Sequence, residues 1–413
     1  MSFFLFISSL FALANLNFAD NINSFDLKDK RILIRVDYNV PIENGVVKDA
    51  YRIQCSIPTI KECLESGASV VLMSHLGRPN GKNNEEFSLI SVGEVLSDFL
   101  EIPIKFSHDC INEDSINVTI GLHPGEVHLL ENLRFHSGEE DNDVEFSTLL
   151  SKHGQIYIND AFGTSHRSHA SNVGVTDNFI HKGMGLLMKR EVQYLQKKFK
   201  NPKEPLTILL GGAKISDKID LIEKFLIDAN TILIGGGMAF TFLKAKGLNV
   251  GNSIVDEKMI SVANEIIKKA RRNRVKLVFP VDFIVSDSID APSNLETVSF
   301  DSIPTNMMGL DIGNETIKLF SKILSQSCTI LWNGPMGVFE KKEFENGTKE
   351  IAISLSNLKD ENITTIVGGG DSASAVRKFS NIEDITHVST GGGASLELLS
   401  GRSLPAIEAL GKL

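Results

Sequence analysis

The chain has 413 residues, 23% of them charged, and a formal net charge of −10. That length exceeds one ordinary core and calls for two domains. The apolar content excludes a disordered or fibrous chain, and the acidic balance excludes a global attraction to nucleic acid or anionic lipid.

Residues 1–19 carry no charged side chain and are rich in Phe and Leu. The stretch resembles a signal-peptide core, with Ala12-Leu-Ala14 readable as a cleavage site. Yet the first lysine is Lys28, so the positive n-region is missing. The stretch is also marginal in length for a membrane span. An atypical targeting segment, a membrane-associating extension and a misassigned start codon all fit. The last is preferred.

Further along, apolar β-branched runs read as buried strands at Arg31–Asp37, Ser69–Ser74, Gln155–Asp160, Leu206–Leu210, Thr231–Ile234, Lys276–Phe279, Cys328–Leu331, Thr364–Val367 and His387–Ser389. Helical spacing lies between most of them, as at Ile57, Ile60 and Leu64, or at Leu221, Ile222 and Phe225. This alternation predicts an α/β protein with parallel sheets covered on both faces. The expected domains are 20–185 and 186–402. Residues 186–200 are expected as a helical hinge element, broken by Asn201-Pro-Lys-Glu-Pro205, and 403–413 as a tail returning to the first domain. Cys55, Cys63, Cys110 and Cys328 show no C-x-x-C spacing. That argues against a zinc site or disulfide framework and fits a reducing compartment.

Each apolar run ends in a polar or glycine-rich loop, and parallel α/β sheets bind ligands outside the carboxyl ends of their strands. The first half carries Arg35-Val-Asp-Tyr-Asn39, Ser74-His-Leu-Gly-Arg78 and Asn159-Asp-Ala-Phe-Gly-Thr-Ser-His-Arg167. Arg35, Asp37 and Asn39 alternate and are expected on one face of a strand end. His75 and Arg78 follow the second strand, and Arg52, Arg134, His166, Arg167 and His169 add to the set. Converging Arg and His suit an anion with carboxylate and phosphate, because Arg binds both bidentately. The spacing of His166 and His169 alone would suit a metal, but no Cys, Glu or third His completes a ligand set nearby.

The second half carries Gly211-Gly-Ala-Lys214, Gly235-Gly-Gly237, Asp282, Asn333-Gly-Pro335, Gly368-Gly-Gly-Asp371 and Gly391-Gly-Gly393. Lys214 and Lys218 are expected on one helical face, near amides and a dipole that favour phosphate. At Gly368, Gly369 and Gly370 the missing Cβ lets backbone approach phosphate oxygens. Asp371 offers Mg²⁺ a hard oxygen; Ser372 is a fair N-cap, a role open to Asp371 as well. Gly391, Gly392 and Gly393 repeat the design without the acid, as an amide pocket for a transferring anionic group or as a tight turn. One half is therefore expected to hold a small anion and the other a phosphorylated nucleotide. No P-loop, G-x-G-x-x-G fingerprint, protein-kinase signature set, G-x-S-x-G or H-E-x-x-H occurs.

In order, these segments resemble the signatures of the phosphoglycerate kinase family. They are Lys30-Arg-Ile-Leu-Ile-Arg-Val-Asp-Tyr-Asn-Val-Pro41, Ser74-His-Leu-Gly-Arg-Pro79, Glu131-Asn-Leu-Arg-Phe135, Asn159-Asp-Ala-Phe-Gly-Thr164 with Ser165-His-Arg167, Gly211-Gly-Ala-Lys-Ile-Ser-Asp-Lys218, Trp332-Asn-Gly-Pro335 and Gly368-Gly-Gly-Asp-Ser372. The resemblance runs from about Phe25 to the C-terminus. It implies two Rossmann-like lobes, each a parallel sheet flanked by helices, joined by a hinge helix. The implied reaction is reversible transfer of the acyl phosphate of 1,3-bisphosphoglycerate to Mg-ADP, giving 3-phosphoglycerate and ATP in glycolysis and gluconeogenesis.

By the same resemblance, Asp37, Asn39, Arg52, His75, Arg78, Arg134 and Arg167 hold 3-phosphoglycerate, with Arg35, His166 and His169 completing the patch. Lys214 and Lys218, after Gly211 and Gly212, contact the transferring group and nucleotide phosphates. Gly235, Gly236, Gly237, Gly309, Leu310 and Glu340 surround adenine and ribose, with Asn333 nearby. Gly368, Gly369, Gly370 and Ser372 flank Asp371, which holds the Mg²⁺. Arg52, Lys214, Lys218 and the amides of Gly391, Gly392 and Gly393 stabilise the group in flight. A cytoplasmic monomer is implied, with no nucleic-acid partner and no membrane partner beyond the question of residues 1–19. Departures are mild: Tyr38 stands for the usual Phe, Ile215 for Val, Ser165 and Ser168 for Ala, and Ala406 for Gly. A non-catalytic nucleotide-binding protein and another acyl-phosphate kinase, such as one acting on acetate, are the alternatives. The large basic set favours a substrate with a distal phosphate.

Overall fold

The computed structural model describes residues 20–411 apart from Lys198 and Lys200, and the reading of residues 1–19 lies outside them. The chain divides into two compact units. One runs to Arg190 and takes up the chain again from Ser403; the other is Glu191–Arg402.

The first unit is built on a six-stranded parallel sheet in the order Ile104–Ser107, Val127–Leu130, Ser69–Met73, Arg31–Arg35, Ile156–Asn159, Lys182–Met184. Its central runs are β-branched and fully buried on both faces, as parallel strands must be when helices cover them. Helix Tyr51–Glu65 turns Ile53, Ile60 and Cys63 into that core. Ser69–Met73, next along the chain, lies on one side of Arg31–Arg35, and Ile156–Asn159 lies on the other. Loops leaving such a switch point diverge and open a crevice at the carboxyl ends. Helix Pro405–Ala409 belongs to this unit, with the Ala406 N–H donating to the Ser165 carbonyl at 3.1 Å.

The second unit carries a six-stranded parallel sheet in the order Lys276–Val278, Thr231–Ile234, Leu206–Leu210, Thr329–Asn333, Thr364–Gly368, His387–Val388. Numbered along the chain this is the 3-2-1-4-5-6 Rossmann order, whose switch point falls between Leu206–Leu210 and Thr329–Asn333. A smaller antiparallel sheet, Leu295–Ser299, Asp282–Ser286 and Met308–Ile312, completes the unit. Among the described residues no helix is long and apolar enough to cross a membrane.

Several local expectations are corrected. The first strand stops at Arg35, where its neighbours Met73 and Asn159 also end, so Asp37 and Asn39 lie in the loop beyond it. Strands Ile104–Ser107, Val127–Leu130 and Lys182–Met184 escaped the apolar pattern. Val127–Leu130 hides His128 in the core by hydrogen bonds to Ser107 and Thr119, and Lys182–Met184 is a short edge strand with glycine at its centre. The expected helix 186–200 is α-helical over Leu186–Val192 and π-helical over Gln193–Lys197. The wider turn accompanies a buried cluster in which Glu191 accepts from His387 and Thr390 while Tyr194 stacks on the His387 ring at 4.7 Å.

Candidate active site

In the first unit, the Arg31–Arg35 strand ends on a guanidinium with no exposed surface. Arg35 Nε donates to Ser171 Oγ at 2.8 Å, and Nη2 lies 3.3 Å from His75 Nδ1. Ser171 donates in turn to the buried Glu139 carboxylate through its hydroxyl (2.7 Å) and its N–H (2.9 Å). Glu139 also lies 4.0 Å from Arg35, so the buried cation has a buried counter-ion. Burial pushes the Glu139 carboxyl up, and the Arg35 charge acts against that. Sequence reasoning missed Glu139, although it stands only five residues beyond Arg134.

Around Arg35 the structure brings together most of the basic set. Arg52, at the start of its helix, reaches Asp37 at 3.2 Å and donates to the Asn39 carbonyl at 3.0 Å. The Asn39 side chain accepts from the Gly77 N–H at 2.9 Å, and Arg134 donates to the Gly77 carbonyl at 2.7 Å. Arg78 follows in the same loop and is exposed. Arg167 Nε lies 3.4 Å from His166 Nε2. Burial, then the charges of Arg35, Arg134, Arg167 and Arg52, hold the His75 imidazole well below its usual range. Burial, then Arg134, Arg35 and Arg167, push His169 down to about 4. Two neutral imidazoles among several guanidinium groups make a crevice rich in donors, with the Asp37 and Glu139 carboxylates set against Arg52 and Arg35. It can accept a polyanion without adding a proton to it.

In the second unit, the loops after Leu206–Leu210, Thr231–Ile234 and Thr329–Asn333 are sewn together by backbone. Gly211 N–H donates to the Asn333 carbonyl (3.0 Å), Gly212 N–H to Pro335 (2.9 Å) and Gly236 N–H to Met336 (3.2 Å). A Cβ on Gly334, whose φ is 100°, would stand 2.3 Å from the Gly211 carbonyl oxygen. Gly211, Gly235 and Gly334 therefore serve loop-to-loop contact, and their amides are not simply a phosphate cradle.

Beside this seam lies a cavity of about 460 Å³. Its lining includes the expected Gly212, Gly236, Gly237, Gly309, Leu310, Glu340 and Asp371. It also includes residues with no sequence signal, among them Phe240, Phe283, Met308, Met336 and Val338. Phe240 and Phe283 meet with ring centroids 4.7 Å apart, and Gly309 leaves room for Phe240. Asp311 lines the same wall; burial pushes its carboxyl up to about 7 against hydrogen bonds from the N–H groups of Gly347 (2.6 Å) and Ile312 (2.9 Å). Apolar walls with a few polar groups at the rim suit a base and ribose.

The polar loops of the unit differ from the expectation in several places. Lys214 and Lys218 do not share a helical face, because a 3₁₀ turn, Ser216–Lys218, precedes helix Ile219–Asp228. Lys214 is exposed, while Lys218 turns inward to donate to Asn333 Oδ1. Burial pushes the Lys218 ammonium down to about 8. Asn333 also donates to the Gly368 carbonyl at 2.9 Å, which fixes its amide. Ser372 is not an N-cap. Gly369, at φ 94°, takes that position, and the buried Ser372 hydroxyl accepts from the Gly334 N–H at 2.6 Å. The Asp282 carboxylate is taken up by helix Asn314–Leu324, accepting from the N–H groups of Glu315 and Thr316. Gly391 donates its N–H to Ser389 Oγ (3.2 Å), so Gly392 and Gly393 carry what remains of that amide pair at helix Gly393–Leu399. Asp371 is exposed on the first turn of helix Gly370–Phe379 and faces the cavity.

Two Rossmann-type units, one with an arginine-lined anion crevice and one with a largely apolar cavity that includes Asp371, define a phosphotransferase. The family model described as phosphoglycerate kinase matches residues 22–402. The phosphoglycerate kinase of Finegoldia magna is 46% identical over 391 residues, covering 94% of this chain and 98% of that protein. That of Chlorobium chlorochromatii is 47% identical over 382 residues, covering 92% and 96%. Among solved structures, phosphoglycerate kinase from Coxiella burnetii is similar at a TM-score of 0.82, 36% identity, and 95% and 98% coverage of the two chains. That from Pyrococcus horikoshii is similar at 0.83, 32%, 94% and 98%. The chain belongs to the phosphoglycerate kinase family, which are glycolytic enzymes.

Proposed function

We propose that the first unit holds 3-phosphoglycerate or 1,3-bisphosphoglycerate through Arg35, Asp37, Asn39, Arg52, His75, Arg78, Arg134, His166, Arg167 and His169. The second unit holds ADP or ATP in the cavity lined by Gly309, Leu310 and Glu340. The observation that carries this reading is the pairing of a buried, counter-ion-anchored arginine crevice with a nucleotide-sized apolar cavity, each at the switch point of its sheet. The acceptor atom is a carboxylate oxygen, ionised at neutral pH, so no general base is needed. Catalysis then rests on positioning and charge stabilisation. Arg52 neutralises charge on the transferring group. Lys218, oriented by Asn333, and the exposed Lys214 contact nucleotide phosphate oxygens. The N–H groups of Gly392 and Gly393 offer donors, and Gly391 and Gly368 through Gly370 shape their turns.

Asp371 fits Mg²⁺. Its exposed carboxylate is a hard donor on the cavity rim, where a cation shared with phosphates would sit. When bound, the cation neutralises phosphate charge. The same reading keeps the chain a cytoplasmic monomer working on small anions, and its net charge of −10 supports the absence of a nucleic-acid partner.

A coupled assay with Mg-ATP, comparing 3-phosphoglycerate with acetate, tests the proposal. Turnover with 3-phosphoglycerate alone is expected. Comparable turnover with acetate would remove the need for a distal-phosphate site.

A further inference from the structure

Outside the site described above, one mixed set of ligand atoms stands out in the first unit. Asp109 and Cys110 follow strand Ile104–Ser107, and His136 closes the 3₁₀ turn Leu133–Phe135. The carboxylate oxygen, the sulfur and an imidazole nitrogen all lie within 4.8 Å of one another. We propose that Asp109, Cys110 and His136 form a binding site for a zinc-like divalent transition-metal cation.

The donor set carries the choice of ion. Thiolate with imidazole and carboxylate selects zinc, cobalt or a similar cation, not magnesium or calcium. In a tetrahedral zinc site, bond lengths of about 2.0 to 2.3 Å put the N···O edge at about 3.3 Å and edges to sulfur at about 3.6 Å. His136 Nε2 lies 3.2 Å from Asp109 Oδ2, so that edge is already at the right length.

The outer shell is arranged for it. Asp109 Oδ1 accepts from the N–H groups of Ile111 (2.7 Å) and Asn112 (3.0 Å), which fixes the carboxylate and leaves Oδ2 for the ion. The His136 ring rests against Phe146 at 5.6 Å. Cys110 is 1% exposed, whereas the Asp109 and His136 side chains are each 29% exposed, so the site has an open side. A cavity of about 80 Å³ touches all three residues and His108, room enough for water or that imidazole as fourth ligand. The neighbouring Glu131 is already committed to Ser88, Leu89 and Asn132. On binding, the Cys110 thiol gives its proton to solvent as the sulfur–metal bond forms. The ion would staple the loop after Ile104–Ser107 to the turn that carries Arg134. The absence of C-x-x-C spacing does not argue against this set, because its ligands come from two loops.

Cobalt(II) titration of the full-length, chelator-stripped protein tests this. One equivalent should give a thiolate-to-cobalt charge-transfer band, and zinc should displace it. The band should vanish in Cys110→Ser and persist in Cys55→Ser and Asp371→Asn. His136→Ala, at a half-open position that leaves the core intact, should weaken affinity by at least about tenfold, as should Asp109→Asn. A titration without a band, a band that survives Cys110→Ser, or unchanged affinity in His136→Ala would leave Asp109 and His136 as an ion pair and overturn the site.

Discussion

The two ligand regions are made of different materials. The anion crevice consists of charged side chains held by other side chains: Arg35 leans on Ser171 and Glu139, Arg52 on Asp37, and Arg134 on Glu140. The proposed nucleotide cavity consists of bare backbone and largely apolar walls, with Asp311, Glu340 and Asp371 as its acidic lining residues. A crevice of the first kind is specified by electrostatics and fails when a partner is lost. A cavity of the second kind is specified by shape and fails when atoms are added.

The largest expected effect breaks the first kind. Arg52→Ala should lower kcat by roughly a thousandfold or more, by analogy with arginine that stabilises a transferring phosphoryl group. A loss below tenfold in a normally folded variant would reduce Arg52 to a binding residue. Arg35→Ala should act on the fold itself, since it leaves Glu139 buried without its cation. The expected loss is about 3–5 kcal/mol in denaturant unfolding of this unit. Adding Glu139→Gln should recover part of it, and a double variant no more stable than Arg35→Ala would mean that packing, not charge, was lost.

Gly309→Ala probes the second kind. Its Cβ would stand 2.1 Å from the Phe240 ring, so the wall must move. Overpacking of about 1–3 kcal/mol predicts a nucleotide KM raised about fivefold to somewhat over a hundredfold, with the phosphoglycerate KM unchanged. If both constants rise together, the cavity is not an independent shape-defined site.

The same contrast explains what the sequence made legible. Continuous β-branched runs and the loops after them were readable because burial on both faces demands that pattern locally. Arg35 was readable as a basic residue, but its support by Glu139 and Ser171 was not, since Ser171 is 136 residues away. The aromatic wall drew no signal because Phe240 and Phe283 come from a helix and an antiparallel strand that only the fold brings together. Local rules misled where the partner was distant. Ser372 looks like a cap until Gly334 takes its hydroxyl, and the four-residue spacing of Lys214 and Lys218 has meaning only inside a helix, whereas the helix begins at Ile219, after both.

The smallest expected effect lies in the second unit, at Lys218. Burial lowers its pKa to about 8, so in the free protein the ammonium is present at neutral pH and lost as pH rises through that value. If the charge draws nucleotide phosphate, kcat/KM for nucleotide should fall on an alkaline limb near pH 8, by about tenfold at one unit above. The limb belongs to the free enzyme, because bound phosphate would hold the proton on. Lys218→Arg keeps a charge across this range, although its planar fork will not reproduce the contact to Asn333. Its residual activity should lack the limb. An alkaline limb that persists in the Arg variant would assign the titration to another group and leave Lys218 as a structural donor to Asn333.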